Sequence, residues 1–141
     1  MIIYDYASVR ELLTEELAAD GHLVVPIGKA ALAKEVIGTL RPDLVLLNLH
    51  INGKDRWDVL KEIKKQDPYL RVLVLSTYAG YQEDLGRSLA DVYVIKSFRF
   101  EGLRQKVAEV LQWKLINAEG MKRSENLPPS DNNLNRLRPS F

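Results

Sequence analysis

Met1 to Asp5 is apolar until it stops on an acidic residue, which predicts a short buried strand. Val9, Leu12, Leu13, Leu17 and Ala18 then recur at helical spacing. Ser8 is placed to cap that helix, with Glu11 three positions on, and Gly21 to close it. His22 to Pro26 reads as a second strand, and Ala31 to Leu40 as a second helix between Gly28 and the Arg41-Pro42 pair. The third strand, Asp43 to Asn48, is apolar without alternation, the pattern of a strand covered on both faces in a parallel sheet. A loop containing Asn52-Gly53 leads to a helix from about Arg56 to Gln66, with Val59, Leu60 and Ile63 as its buried stripe and Pro68 as its stop. Arg71 to Ser76 is the fourth strand, Tyr81 to Leu89 a helix, Val92 to Lys96 the fifth strand, and Glu101 to about Leu115 the closing helix.

This is a (βα)5 pattern. Alternating strands and helices require right-handed crossovers, hence a parallel sheet with helices on both faces. Such a sheet places its ligand site outside the carboxyl ends of the strands, where the strand order reverses. Here those ends carry Asp5, Asn48, Ser76 and Lys96. After about Leu115 the character changes to Pro128-Pro129, Asn and Ser with few apolar residues, so residues 1–115 are expected to fold and 116–141 to be linker or flexible tail. A short linear motif around Leu134 to Phe141 stays open.

Composition narrows the function classes. A chain of 141 residues holds one domain plus a tail, and 20 Lys and Arg against 19 Asp and Glu leave a net charge of +1, which gives no reason to expect nucleic acid or membrane as partner. Cysteine is absent, so neither a disulfide framework nor a thiolate metal site can form. No apolar run approaches the roughly 18 residues that span a bilayer, and no basic stretch precedes an apolar one at the N-terminus. The expected compartment is the cytosol.

Four blocks taken together carry a family resemblance: Tyr4-Asp5 with Ser8 to Leu13, Arg41 to His50 with Gly53, Val72 to Tyr78, and Tyr93 to Phe98. Their order and spacing from Ile2 to about Leu111 resemble the receiver domain of two-component response regulators. The resemblance implies an α/β, doubly wound, flavodoxin-like three-layer sandwich with strand order 2-1-3-4-5. It also assigns tasks. An acidic pair after the first strand helps hold Mg²⁺, an Asp ending the third attacks a phosphoryl group, and a Ser or Thr and a Lys ending the fourth and fifth contact the acyl phosphate.

The chain departs from that pattern at the decisive places. Asn48 stands where the phosphoacceptor Asp belongs, and an amide nitrogen, its lone pair delocalised into the carbonyl, cannot replace a carboxylate oxygen as nucleophile. Tyr4 replaces the first member of the acidic pair, leaving Asp5 as the one carboxylate of a usual three. At an effective dielectric near 20, one unit charge acting on another at about 4 Å contributes roughly 4 kcal/mol before desolvation, so two missing carboxylates argue against Mg²⁺, and no cofactor is expected. Ser97 replaces the Pro whose preceding bond is commonly cis; a cis bond before Ser costs about 2.5–4 kcal/mol, so the loop from Lys96 to Phe98 is expected to be trans. Thr77 sits where the family tends to carry a small residue, and would narrow the access path. These departures agree with one another, which favours natural degeneracy over engineering of Asn48 alone.

Three retained residues have two readings each. Lys96 is a relic phosphate contact or, the favoured reading, a structural prop reaching Asp5 or the Asn48 oxygen for at most about 1 kcal/mol. Ser76 keeps the family hydroxyl position or is ordinary strand-exit chemistry. Tyr93 matches the family's switching aromatic, with a partner-facing role, or is simply a good strand residue. The expected function is a phosphorylation-independent interaction module, not an enzyme. Its partner would be a kinase, a regulator or a second copy docking on the fourth helix, fifth strand and fifth helix. The alternative is a small anion or nucleotide in the crevice. Asn48-Leu-His50-Ile-Asn-Gly53 also resembles the Asp-x-His-x-x-Gly signature of cobalamin-binding domains, but it lacks the leading Asp and follows the third strand, so His50 reads as an ordinary loop histidine. Trp57 is expected to pack partly beside the site loop, and Trp113 to anchor the last helix or a partner.

Overall fold

A computed structural model describes residues 1–77, 89–96 and 99–125, with side chains through Gln112. Five parallel strands form the sheet: β1 (Ile2–Ile3), β2 (Pro26–Ile27), β3 (Leu44–Asn48), β6 (Arg71–Ser76) and β7 (Val92–Ile95), in the order β2-β1-β3-β6-β7. Counting sheet strands along the chain, this is 2-1-3-4-5. Between β3 and β6 lies a small antiparallel hairpin, β4 (His50–Ile51) and β5 (Lys54–Asp55). The helices are α1 (Ala7–Ala19), α2 (Ala33–Leu40), α3 (Trp57–Gln66) and α4 (Phe100–Glu125), with a short 3₁₀ turn at Ala30–Leu32 ahead of α2.

Alternate side chains along each strand point to opposite faces, and here both faces are covered. Ile3, Val45, Leu47, Val72 and Val74 pack with Ile37 of α2 and with Val59, Leu60 and Ile63 of α3. Ile2, Leu44, Leu46, Leu73 and Leu75 pack with Leu13 and Leu17 of α1 and with Leu103, Val107 and Val110 of α4. This is the three-layer, doubly wound arrangement, and the reversal of strand order falls between β1 and β3.

Helix ends follow local chemistry only in part. Gly21 closes α1 as expected: at φ +91° its N–H donates to the Ala18 carbonyl (2.9 Å), while the His22 N–H donates to Leu17 (3.3 Å), a Schellman pair. The helix start differs from expectation. α1 begins at Ala7 with Tyr6 as N-cap and no side-chain cap bond, so Ser8 lies inside the first turn. The second strand is also displaced. Its ladder holds Pro26 and Ile27, whereas Leu23 of the expected His22–Pro26 stretch is 99% exposed. At the far end, α4 runs unbroken past Leu115 to Glu125, so residues 116–125 continue the helix that 1–115 was expected to complete. The expected helix from Tyr81, the positions Ser97 and Phe98 with their peptide geometry, the Trp113 side chain and the segment Leu134 to Phe141 lie outside the described residues.

The N-terminal edge of the sheet is tied by charge. Asp91, just before β7, accepts from Lys64 Nζ (2.5 Å), Arg71 Nη1 (3.0 Å) and the Val72 N–H (2.8 Å). The Met1 ammonium donates to the Leu44 carbonyl (2.9 Å), and burial lowers its pKa below the ordinary value. Arg104 of α4 clasps Asp20 at the end of α1, Nε donating to Oδ2 at 2.8 Å.

Candidate functional site

The carboxyl ends of β1, β3, β6 and β7 converge on one side chain. Asn48, the last residue of β3, is 2% exposed. Its Nδ2 donates to Asp5 Oδ1 (3.0 Å) and to the His50 carbonyl (2.9 Å), and its Oδ1 accepts from Lys96 Nζ (2.5 Å). Lys96 is a donor only, so turning the amide over would set its NH₂ against an ammonium; this orientation is the one that satisfies every partner. The Lys96 Nζ also lies 4.8 Å from the centroid of the Tyr4 ring, within cation–π range. Of the two acceptors expected for Lys96, Asp5 and the Asn48 oxygen, the ammonium meets the Asn48 oxygen.

Position follows from register. Asn48 pairs with Leu75 beside buried Ser76, whose carbonyl accepts the Lys96 N–H (2.6 Å). Thr77, one residue on, is exposed. Tyr93 is half-buried and packs against the core layer beneath α2 and α3, as does Trp57 at the start of α3.

Three contacts around this cluster escape the strand-end reading. The β4–β5 hairpin turns on Asn52 (φ +51°) and Gly53 (φ +80°), the left-handed pair of a type I′ turn, and brings the Asn52 N–H to 3.4 Å from Asp5 Oδ2. The Asn-Gly dipeptide was the available signal. His50 contributes its backbone carbonyl to Asn48, while its ring pairs with Asp55 across the hairpin at 3.0 Å. Arg10 reaches back from α1, Nη1 donating to the carbonyls of Tyr4 (2.8 Å) and Asp5 (3.3 Å), and so fixes the turn that presents Asp5. Gly28 makes room for it, since a Cβ there would lie 2.6 Å from that nitrogen.

The arrangement does not fit the divalent cation that the family resemblance calls for. Two oxygens that would face a cation, Asp5 Oδ1 and the His50 carbonyl, both close instead on the Asn48 NH₂. Among the described residues no three His, Asp, Glu or Cys side chains gather as a metal set. Mg²⁺ demands several hard oxygens and dehydrates reluctantly; one carboxylate already bonded to an amide is a poor match.

Among the described residues no helix is long and apolar enough to cross a membrane. Residues 1–108 match the family described as Response regulator receiver domain. The chain is 29% identical over 119 residues to sporulation initiation phosphotransferase F of Bacillus subtilis, covering 81% of this chain and 94% of that protein. It is 26% identical to the two-component response regulator PhoP of Pseudomonas aeruginosa, covering 79% of this chain but 51% of that protein, so the chain spans about half the length of such regulators. Among solved structures it resembles the response regulator TrrA of Thermotoga maritima in complex with Mg²⁺-BeF, at 32% identity and TM-score 0.71, covering 77% of this chain and 95% of that one. The receiver domain of NtrX from Brucella abortus superposes equally well, TM-score 0.71 at 26% identity, covering 79% and 96%. With its doubly wound sheet and strand-end cluster, the chain belongs to the response regulator receiver domain family.

Proposed function

We propose that this chain is a degenerate receiver domain that works in two-component signalling without being phosphorylated, as a protein-interaction module and not as an enzyme. One observation carries the reading: an amide, Asn48, ends the central strand and is held by Asp5 on one side and Lys96 on the other. A phosphoaccepting site needs a free carboxylate oxygen there, with a cation between it and its acidic neighbours. In this chain the amide hydrogens take the place between Asp5 and the His50 carbonyl, and Lys96 faces a carbonyl dipole and the Tyr4 ring in place of a carboxylate. The cluster therefore closes on groups of its own chain, and no cofactor is needed for it.

The partner in this reading is a protein: a histidine kinase, another regulator or a second copy. The TrrA regulator has been crystallised in complex with the histidine kinase ThkA, which supports the first. The docking face in this reading is β7 with Tyr93 together with α4, on which two copies would also pair; nucleic acid and membrane are not expected as partners of this domain. A crevice anion finds less support, because both amide hydrogens of Asn48 and the ammonium of Lys96 already have acceptors.

Titration with Mg²⁺, followed by backbone amide shifts at Asp5, Asn48 and Lys96, tests the reading. The wild type is expected to show no saturable change at millimolar Mg²⁺, and Asn48→Asp, which restores a second carboxylate, to bind at least about tenfold more tightly. Saturable Mg²⁺ binding by the wild type at this cluster would overturn the proposal.

A further inference from the structure

A second surface adjoins the strand-end cluster at the β4–β5 hairpin and is formed by other elements than the β7 edge. The Gly28–Lys34 segment and α3 face one another across an open groove of about 760 Å³. Its floor is apolar: Ala33, Ile51, Val59 and Ile63 line it and are themselves buried members of the core. Its walls are basic. Lys29, Lys34, Arg56 and Lys65 line it against Asp58 and Glu62, an excess of two cations in a chain whose whole net charge is +1.

Arg56 is satisfied within the chain, with Nε and Nη2 both on Asp58 at 3.0 and 3.1 Å. Lys29, Lys34 and Lys65 are different, for no carboxylate lies within ion-pair distance of any of them among the described residues. One end is closed by Gln66, whose Nε2 donates across the groove to the Lys34 carbonyl at 2.9 Å. Arg56 and Lys65 stand nine residues apart on the α3 side, about 14 Å at the helical rise. Cations spread along two walls of an apolar trough suit a length of chain better than a compact anion, whose charge would need them to converge.

We propose that this groove docks an acidic segment of a partner protein, its apolar side chains seated on the Ala33, Ile51, Val59 and Ile63 floor and its carboxylates paired with Lys29, Lys34 and Lys65. The site goes beyond the phosphorylation-independent reading and does not rest on it, since no residue of the groove walls belongs to the Asn48 cluster. The two do adjoin: Asn52 lies at the edge of the groove and its N–H points at Asp5, so an occupant touches the hairpin that closes the cluster.

The test is a titration of the ¹⁵N-labelled chain with a short peptide repeating Glu-Glu-Leu-Leu, beside a control repeating Gln-Gln-Leu-Leu and inorganic phosphate alone. Saturable shifts confined to residues 28–34 and 51–66 are expected, weakened at least tenfold by the exposed double change Lys29→Glu with Lys34→Glu, and by Ala31→Trp, which fills the trough from its exposed rim. Unchanged amide shifts elsewhere show that these variants fold. Four results would each sink the proposal: no saturable shift, equal affinity for the neutral peptide, affinity unmoved by either variant, or the same shifts from phosphate alone, which would make the groove a small-anion site.

Discussion

Two polar clusters close opposite ends of one sheet, each built around an Asp and a Lys, and they are wired differently. At the N-terminal end Asp91 is a full ion-pair hub, holding Lys64, Arg71 and a β6 backbone N–H while all three side chains are less than one-fifth exposed. At the carboxyl end Asp5 and Lys96 do not meet; the neutral amide of Asn48 stands between them, giving hydrogens to one and oxygen to the other. The first cluster sets charge against charge and serves the fold. The second lies at the carboxyl ends of the strands, where in the proposed reading a neutral amide stands in place of a site that handles charge. Removal of a single group should therefore have unequal consequences at the two ends.

The largest expected effect is at the N-terminal end. Asp91→Ala strands two part-buried cations and an N–H, and should lower stability by about 3 kcal/mol in urea unfolding. At the other end Asn48→Ala should cost about 2 kcal/mol, because Asp5 and Lys96 each lose a partner but both reach water. Lys96→Met should cost at most about 1 kcal/mol, as expected of a part-buried Lys whose hydrogen bond goes to a neutral amide oxygen. If Lys96→Met cost as much as Asp91→Ala, the contrast between the two ends would collapse.

The smallest expected effect belongs to the surface clasp between α1 and α4. The hydrogen bond from Arg104 holds the Asp20 carboxyl below its ordinary value of 3.8. A carboxylate depressed in the folded state contributes stability above its unfolded pKa and loses that contribution as pH falls through the folded value. Asp20→Asn should therefore shift the urea midpoint slightly at pH 7, and the shift should vanish at acid pH below both values. A difference that grew on acidification would reverse the assigned sign.

What could be read from residues alone follows from how local each signal was. β6 lies at Arg71–Ser76 and α3 ends at Gln66, as expected, because an unbroken apolar run and a helical stripe ahead of Pro68 need no tertiary information. The β2 boundary was illegible for the opposite reason: His22 to Val25 is apolar enough for a strand, yet the ladder on β1 takes up Pro26 and Ile27. Ser8 offered a cap that the chain does not use, the turn being held instead by Arg10 on the Tyr4 and Asp5 carbonyls. The strand-end residues Asp5, Asn48, Ser76 and Lys96 were legible because parallel strands of this topology must end together. Their wiring was not. The His50 carbonyl, the Asn52 N–H and the Arg10–Gly28 contact depend on a hairpin and a long-range approach that no local pattern encodes, though Asn52-Gly53 was a hairpin signal in plain view.

The most direct measurement is the intact mass of the chain after incubation with acetyl phosphate and Mg²⁺, with peptide mapping of any adduct. An unchanged mass is expected, because no carboxylate ends β3. A stoichiometric gain of one acid-labile phosphoryl group mapped to Asp5, Asn48 or their immediate neighbours would contradict it.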